Sequence, residues 1–112
     1  MKRIEAIIRP TQLTQVCASL DKVGCSGITI SDVEGHGTQK GIERKFRGIM
    51  YKVPLVEKKR VVLVVKDNEV DRIMKAIREA VCTGEIGDGK IFVSSMDDAM
   101  RIRTGETGET AV

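Results

Sequence analysis

The apolar positions fall into four strand-like runs and two helical stripes. Residues 3–9 (RIEAIIR) read as a first strand, with Ile4, Ala6 and Arg9 flanking the pair Ile7–Ile8. Pro10 and Thr11 then start a helix, since proline fits a first turn but not a helix interior. Leu13, Val16, Cys17, Leu20 and Val23 recur at helical spacing, and Gly24 stops the helix. Residues 28–33 read as a second strand, Ile28 and Ile30 sharing a face. Residues 60–66 (RVVLVVK) make a third, apolar enough on both faces to be central in a sheet. Asn68 is the expected N-cap of a second helix, whose stripe is Val70, Ile73, Met74, Ile77 and Val81 and whose end is Gly84. Residues 91–96 give the fourth strand.

This order, βαβ followed by βαβ, predicts an α+β domain of ferredoxin-like topology, with both helices on one face of an antiparallel sheet. The other face must be polar or covered. The apolar third strand argues for cover, most simply by self-association. A single domain spans residues 1–112, able to bury roughly 60–70% of its unfolded surface.

Residues 34–59 carry no convincing period, and so long a connection between strong strands points to function. The segment is punctuated by Gly35, Gly37, Gly41 and Gly48, is basic through Lys40, Arg44, Lys45, Arg47 and Lys52 against Glu43, and holds the apolar group Ile49, Met50 and Tyr51. A solvated loop is the plainer alternative.

Residues 83–96 (TGEIGDGKIFVSSM) concentrate the chemistry. Gly84, Gly87 and Gly89 can adopt positive φ and bring N–H groups close to an anion, and Lys90 supplies charge where the glycines end, offsetting Asp88. Gly84-EIGD-Gly89-Lys90 satisfies GxxxxGK, but Ile91 stands where a P-loop has Ser or Thr to hold Mg²⁺, and the loop precedes a strand rather than a helix. The stretch is therefore either a phosphate cradle or a glycine-rich helix-to-strand connection. In the tail, Arg101 and Arg103 alternate about Ile102, so in an extended segment both guanidiniums would point one way, suiting phosphate or carboxylate. The TGETGET repeat that follows suggests no mechanism.

Composition narrows the function classes. The net charge of +3 and three aromatic residues (two Phe and one Tyr) give little basis for direct nucleic-acid binding. No apolar run reaches the roughly 18 residues of a membrane span, and the strand pattern opens without a signal peptide. Cys17, Cys25 and Cys82 form no CxxC pair, which fits reduced cytoplasmic thiols rather than a structural metal. Cys17 and Cys82 fall on or beside apolar helix faces. His36 has no evident Cys or Ser partner, and Asp97–Asp98 serves a turn as readily as a cation. Nothing here looks catalytic; a module that binds an anionic ligand fits better.

Taken together, EAIIRP (5–10), GxGxQKG (35–41), RGxxY (47–51), TGxxGDGKIFV (83–93) and RIRTGE (101–106) make the chain resemble the PII nitrogen-regulatory signal proteins over essentially its whole length. The resemblance implies a cytoplasmic homotrimer whose sheets line the trimer centre. It implies a mobile T-loop at about 36–55, a glycine loop at 83–90 and a C-terminal loop at 101–112. It further implies ATP or ADP in clefts between subunits, with 2-oxoglutarate bound beside Mg–ATP. Carried over residue by residue, Gly35, Gly37, Thr38, Gly87, Asp88, Gly89 and Lys90 line the nucleotide from one subunit. Arg101 and Arg103 reach it from the neighbour, and the backbone of Thr29 and Val64 meets adenine. Gln39 corresponds to a Mg²⁺ and 2-oxoglutarate residue and Lys58 to a 2-oxoglutarate residue. Arg47 and Tyr51 belong to the target-binding loop, which commonly docks on an ammonium transporter or a nitrogen-metabolism enzyme. The membrane would be reached only through such a partner.

The chain departs from the family pattern at four positions. Thr38 replaces a phosphate-binding arginine of many members, Phe46 a usual tyrosine, and Met50 a usual acidic residue. Ile49 stands where alanine or serine is found, so serine phosphorylation there is excluded. Tyr51, the position for nucleotidylylation, is present. The alternative is a ferredoxin-like trimeric enzyme or metal-tolerance protein, relatives that lack the GDGK and RxR motifs.

Overall fold

The computed structural model of the chain describes residues 1–25, 27–36, 43–46, 49–52 and 55–112. Strand β1 (Lys2–Ile8) leads through a 3₁₀ turn at Pro10–Gln12 into helix α1 (Leu13–Lys22) and strand β2 (Thr29–Gly35). Two short strands, β3 (Glu43–Phe46) and β4 (Ile49–Lys52), pair with each other, and β5 (Val56–Val65), α2 (Val70–Val81) and β6 (Lys90–Ser95) complete the chain. The main sheet runs β2-β5-β1-β6, every neighbour antiparallel. This is the ferredoxin-like α+β arrangement, with β5 and β1 central as the apolar third strand requires.

Strand alternation decides which side chains meet the helices. Ile4, Ala6 and Ile8 of β1 and Val61, Leu63 and Val65 of β5 face one way and are at most 4% exposed. Against them α1 lays Val16 and Leu20, and α2 lays Ile73, Ile77 and Val81. The helices are also tied by Ser19 Oγ donating to the Ala76 carbonyl (2.9 Å) and Gln12 Nε2 donating to the Val81 carbonyl (3.2 Å). Ile28 lies just before β2 and packs on this core, whereas Ile30, on the edge strand, is 40% exposed.

The opposite face is mixed. Arg3 pairs with Val64 and Ser94 across β1, and Glu5 with Val62 and Phe92. Glu5 accepts from Arg3 Nη1 (2.8 Å) and lies 3.7 Å from Arg60 Nε, which donates to Ser31 Oγ. Apolar Val62, Val64 and the half-exposed Phe92 thus surround a charged cluster, and no described helix covers them.

Several boundaries differ from the sequence pattern for local reasons. Gly24 does end α1: its φ is +83°, and Cys25 N–H reaches back to the Leu20 carbonyl at 2.9 Å. The start of α1 is delayed to Leu13 because the 3₁₀ turn intervenes. Asn68 is not a cap. A 3₁₀ turn (Asp67–Glu69) closed by Glu69 N–H on the Lys66 carbonyl precedes α2, and Glu69 occupies the cap position without a side-chain bond. Helix α2 stops at Val81 rather than Gly84, since the Thr83 and Gly84 N–H groups are taken by Asp88. Strands β2 and β5 run on to Gly35 and back to Val56, paired with each other, so less of the connection is irregular than the pattern suggests. Cys17 and Cys25 are half-buried, Cys82 is exposed, and all three thiols are free.

Candidate functional site

The glycine-rich stretch forms a tight loop between α2 and β6, and its shape comes from one carboxylate. Asp88 Oδ2 accepts the Thr83 and Gly84 N–H groups, both at 2.9 Å, while Oδ1 accepts the Thr83 hydroxyl and Arg9 Nη1 (2.7 Å). The Thr83 hydroxyl first, then Arg9 and the backbone donors, hold the Asp88 carboxyl well below the usual carboxylate range. Asp88 therefore shapes the loop from within, a role its position in the motif does not reveal.

Two further contacts fix the loop to the sheet. Arg9 Nη2 donates to the Ile86 carbonyl at 2.9 Å, and Lys58 Nζ, on β5, donates to the Gly87 carbonyl at 3.1 Å. Burial, then the nearby Arg9 charge, push the Lys58 pKa down, with Asp88 opposing. Gly87 (φ +102°) and Gly89 (φ +98°) both adopt the left-handed region. At Gly89 a Cβ would lie 1.8 Å from the Ile7 carbonyl oxygen, so both conformation and space require glycine.

Beside the loop opens a cleft of about 480 Å³, a size suited to a small-molecule ligand. It is lined by Gly35, Lys58, Gly87, Asp88, Gly89 and Lys90, six of the residues that the motifs single out. Ile7 and Phe92 also line it, joined by the exposed His36. These three were missed as site residues, although the β1–β6 register, which pairs Ile7 with Lys90, brings two of them there.

Thr29, Val64 and Arg101 lie elsewhere. Val64 pairs with Arg3, four residues along β1 from the Ile7–Lys90 pair, hence about 13 Å away. Val64 and Arg101 line a second cleft of about 590 Å³ together with Cys25, Lys66 and Arg72. Thr29 is exposed on β2.

The tail is a stitched turn rather than an extended segment, so the alternation that would align Arg101 and Arg103 does not apply. Gly105 N–H closes on the Arg101 carbonyl at 2.7 Å, Arg101 N–H on the Glu106 carbonyl at 2.8 Å, and Met100 bridges Thr107. Arg101 Nη1 lies 3.4 Å from Glu106, while Arg103 is exposed. Asp98 accepts the Ala99 and Gly108 N–H groups, which is the turn role rather than the cation role. Gly37, Thr38, Gln39 and Arg47 lie outside the described residues. Tyr51 is placed on β4, its backbone opposite Arg44.

Comparison with known proteins bears on the whole chain. A family model described as Nitrogen regulatory protein P-II matches residues 1–106. Nitrogen regulatory protein P-II 2 of Methanothermobacter thermautotrophicus is 46% identical over 112 residues, covering 100% of this chain and 97% of that protein. The proteins named Nitrogen regulatory protein P-II from Bradyrhizobium diazoefficiens and Nostoc punctiforme are each 48% identical, with 100% of both chains covered.

The Asp88 tie has a signature in acid. An Asp whose folded pKa lies below its ordinary value of 3.8 contributes stability that is complete above that value and is lost as pH falls through the folded one. Wild type should therefore resist urea better than Asp88→Asn near neutral pH, with the gap closing below about pH 4. Urea midpoints for both proteins at neutral pH and in acid check this; a gap independent of pH contradicts it.

Proposed function

The chain belongs to the nitrogen regulatory protein P-II family, and from that premise we propose that it is a cytoplasmic homotrimeric sensor of ATP, ADP and 2-oxoglutarate, not an enzyme. Its output is control of a target, an ammonium transporter or a nitrogen-metabolism enzyme, through the segment 36–55. The observation that carries this reading is the cleft: Gly35, Gly87, Gly89, Lys90 and Lys58 converge there while Arg101 and Val64 sit at the other end of the sheet. A nucleotide needing both halves would lie between two copies, and Val62, Val64 and Phe92 give those copies apolar surface to bury. No described helix is long and apolar enough to cross a membrane, so the transporter would be met as a partner.

The residues present fit a nucleotide polyphosphate. Lys90 offers an ammonium at the cleft, the positive-φ glycines let backbone approach the phosphates, and Arg101 and Arg103 of the neighbour add charge. Mg²⁺, when bound, would neutralise phosphate charge and offer open positions to the keto acid. Gln39 offers that metal a neutral oxygen, and Lys58 can pair with a carboxylate of 2-oxoglutarate by releasing the Gly87 carbonyl. Both residues stand at the roots of the segment 36–55, so the ligand favours one arrangement of its base. ADP, lacking the γ-phosphate, supports the target-binding state instead. Coupling is reciprocal: a target that prefers the unliganded segment weakens 2-oxoglutarate by the same factor, and tenfold corresponds to about 1.4 kcal/mol. Thr38, in place of a phosphate-binding arginine, either weakens ATP or shifts the balance between ATP and ADP. The GDGK motif at 87–90 and the arginine pair set this reading apart from the enzyme or metal-tolerance alternative.

Light scattering at micromolar concentration should give a trimer mass; a monomer would contradict the shared cleft. Calorimetry should show ATP binding weakened about tenfold or more by Lys90→Ala, the loss of one charge-assisted bond. 2-Oxoglutarate should bind wild type only with Mg–ATP and bind Gln39→Ala more weakly. Unchanged ATP affinity in the lysine variant, or 2-oxoglutarate binding without Mg–ATP, would overturn the assignment.

A further inference from the structure

We propose that Arg9 is a positioning residue for the phosphate cradle, acting through Asp88 and the Ile86 carbonyl rather than by touching the ligand. The inference rests on the nucleotide reading above. Arg9 does not line the cleft; it stands behind the loop, in the dipeptide Arg9–Pro10 that follows β1. A residue before proline is steered away from helical geometry, and Arg9 is accordingly extended (φ −64°, ψ 141°). That extended backbone carries the chain one residue past β1 and sets the Arg9 guanidinium against Asp88 and the Ile86 carbonyl of the glycine loop.

One guanidinium holds the loop at two points, Nη1 on Asp88 at 2.7 Å and Nη2 on the Ile86 carbonyl at 2.9 Å. The fork is rigid and planar, so the two acceptors are held at a fixed separation, which an ammonium cannot do. Both members of the ion pair are 23% exposed, so the pair is sheltered from much of the screening that weakens surface pairs. The charge matters as much as the geometry. Asp88 lines the cleft, and a bare carboxylate there would repel the phosphates that the glycines and Lys90 attract. Arg9 offsets that charge while the remaining lone pairs gather the Thr83 and Gly84 donors. The loop can thus keep an aspartate at its centre and still accept an anion.

The test is a double-mutant cycle read by calorimetry with ATP, using wild type, Arg9→Gln, Asp88→Asn and the double variant, with Arg9→Lys alongside. Arg9→Gln should weaken ATP about tenfold in the wild-type background and no more than about twofold beside Asp88→Asn, because its effect passes through that carboxylate. Amide exchange at Thr83 and Gly84 should accelerate in Arg9→Gln, and Arg9→Lys should recover only part of the affinity. An equal cost in both backgrounds would mean direct contact with the ligand and overturn the inference, as would wild-type affinity in Arg9→Gln or in Arg9→Lys. Should Arg9→Gln not fold, Arg9→Lys in the two backgrounds gives the same comparison. A wild type that binds no ATP overturns the nucleotide reading and this inference together; one that binds ATP while Arg9→Gln matches it overturns this inference alone.

Discussion

The cleft depends on how closely Gly89 passes Ile7. A single methyl group there would penetrate the Ile7 carbonyl, so the glycine loop can lie on β1 only because that position has no side chain. Close passage brings Lys90 into register with Ile7 and starts β6 on the edge of the sheet. It also leaves Asp88 within reach of Arg9, and Gly87 within reach of Lys58. Loop, sheet edge and charge network are thus consequences of one steric constraint.

The second organising fact is separation. The glycine loop and the Arg101 turn belong to opposite ends of β1, and the sheet between them is too stiff to bring them together. Within the proposed function, a second copy is the economical way to join them, since it also buries Val62, Val64 and Phe92. Glu5, Arg3 and Arg60 lie on the same face, with Glu5 shared between the two arginines, so a copy covering it would meet a cluster with one excess positive charge.

Much of this was legible in the sequence, and the failures have identifiable causes. The core faces of β1, β5 and α2 could be read because burial on one side imposes period 2 or 3.6 directly. Gly24 was a reliable stop because positive φ there is a local demand. Asn68 misled because a 3₁₀ turn, which a cap propensity does not encode, already engages the Val70 N–H on the Asp67 carbonyl. The Arg101–Arg103 alternation misled because turn formation overrode an assumed extended backbone. The extension of β2 and β5 was hidden because their paired far ends, such as Asp32 opposite Lys59 and Glu34 opposite Glu57, are mostly polar. Arg9 and Asp88 escaped notice as partners because 79 residues separate them, a proximity that only the sheet order creates.

The claim most open to a direct test is that each nucleotide site takes its glycine loop from one subunit and its arginines from another. Lys90→Ala subunits and Arg101→Ala/Arg103→Ala subunits should each bind ATP poorly alone. Unfolded, mixed and refolded together, about a quarter of the clefts in random trimers would join two intact halves. Calorimetry on the mixture should then recover a fraction of sites near that value with wild-type affinity. A mixture that binds no better than the average of its two components would contradict the shared site.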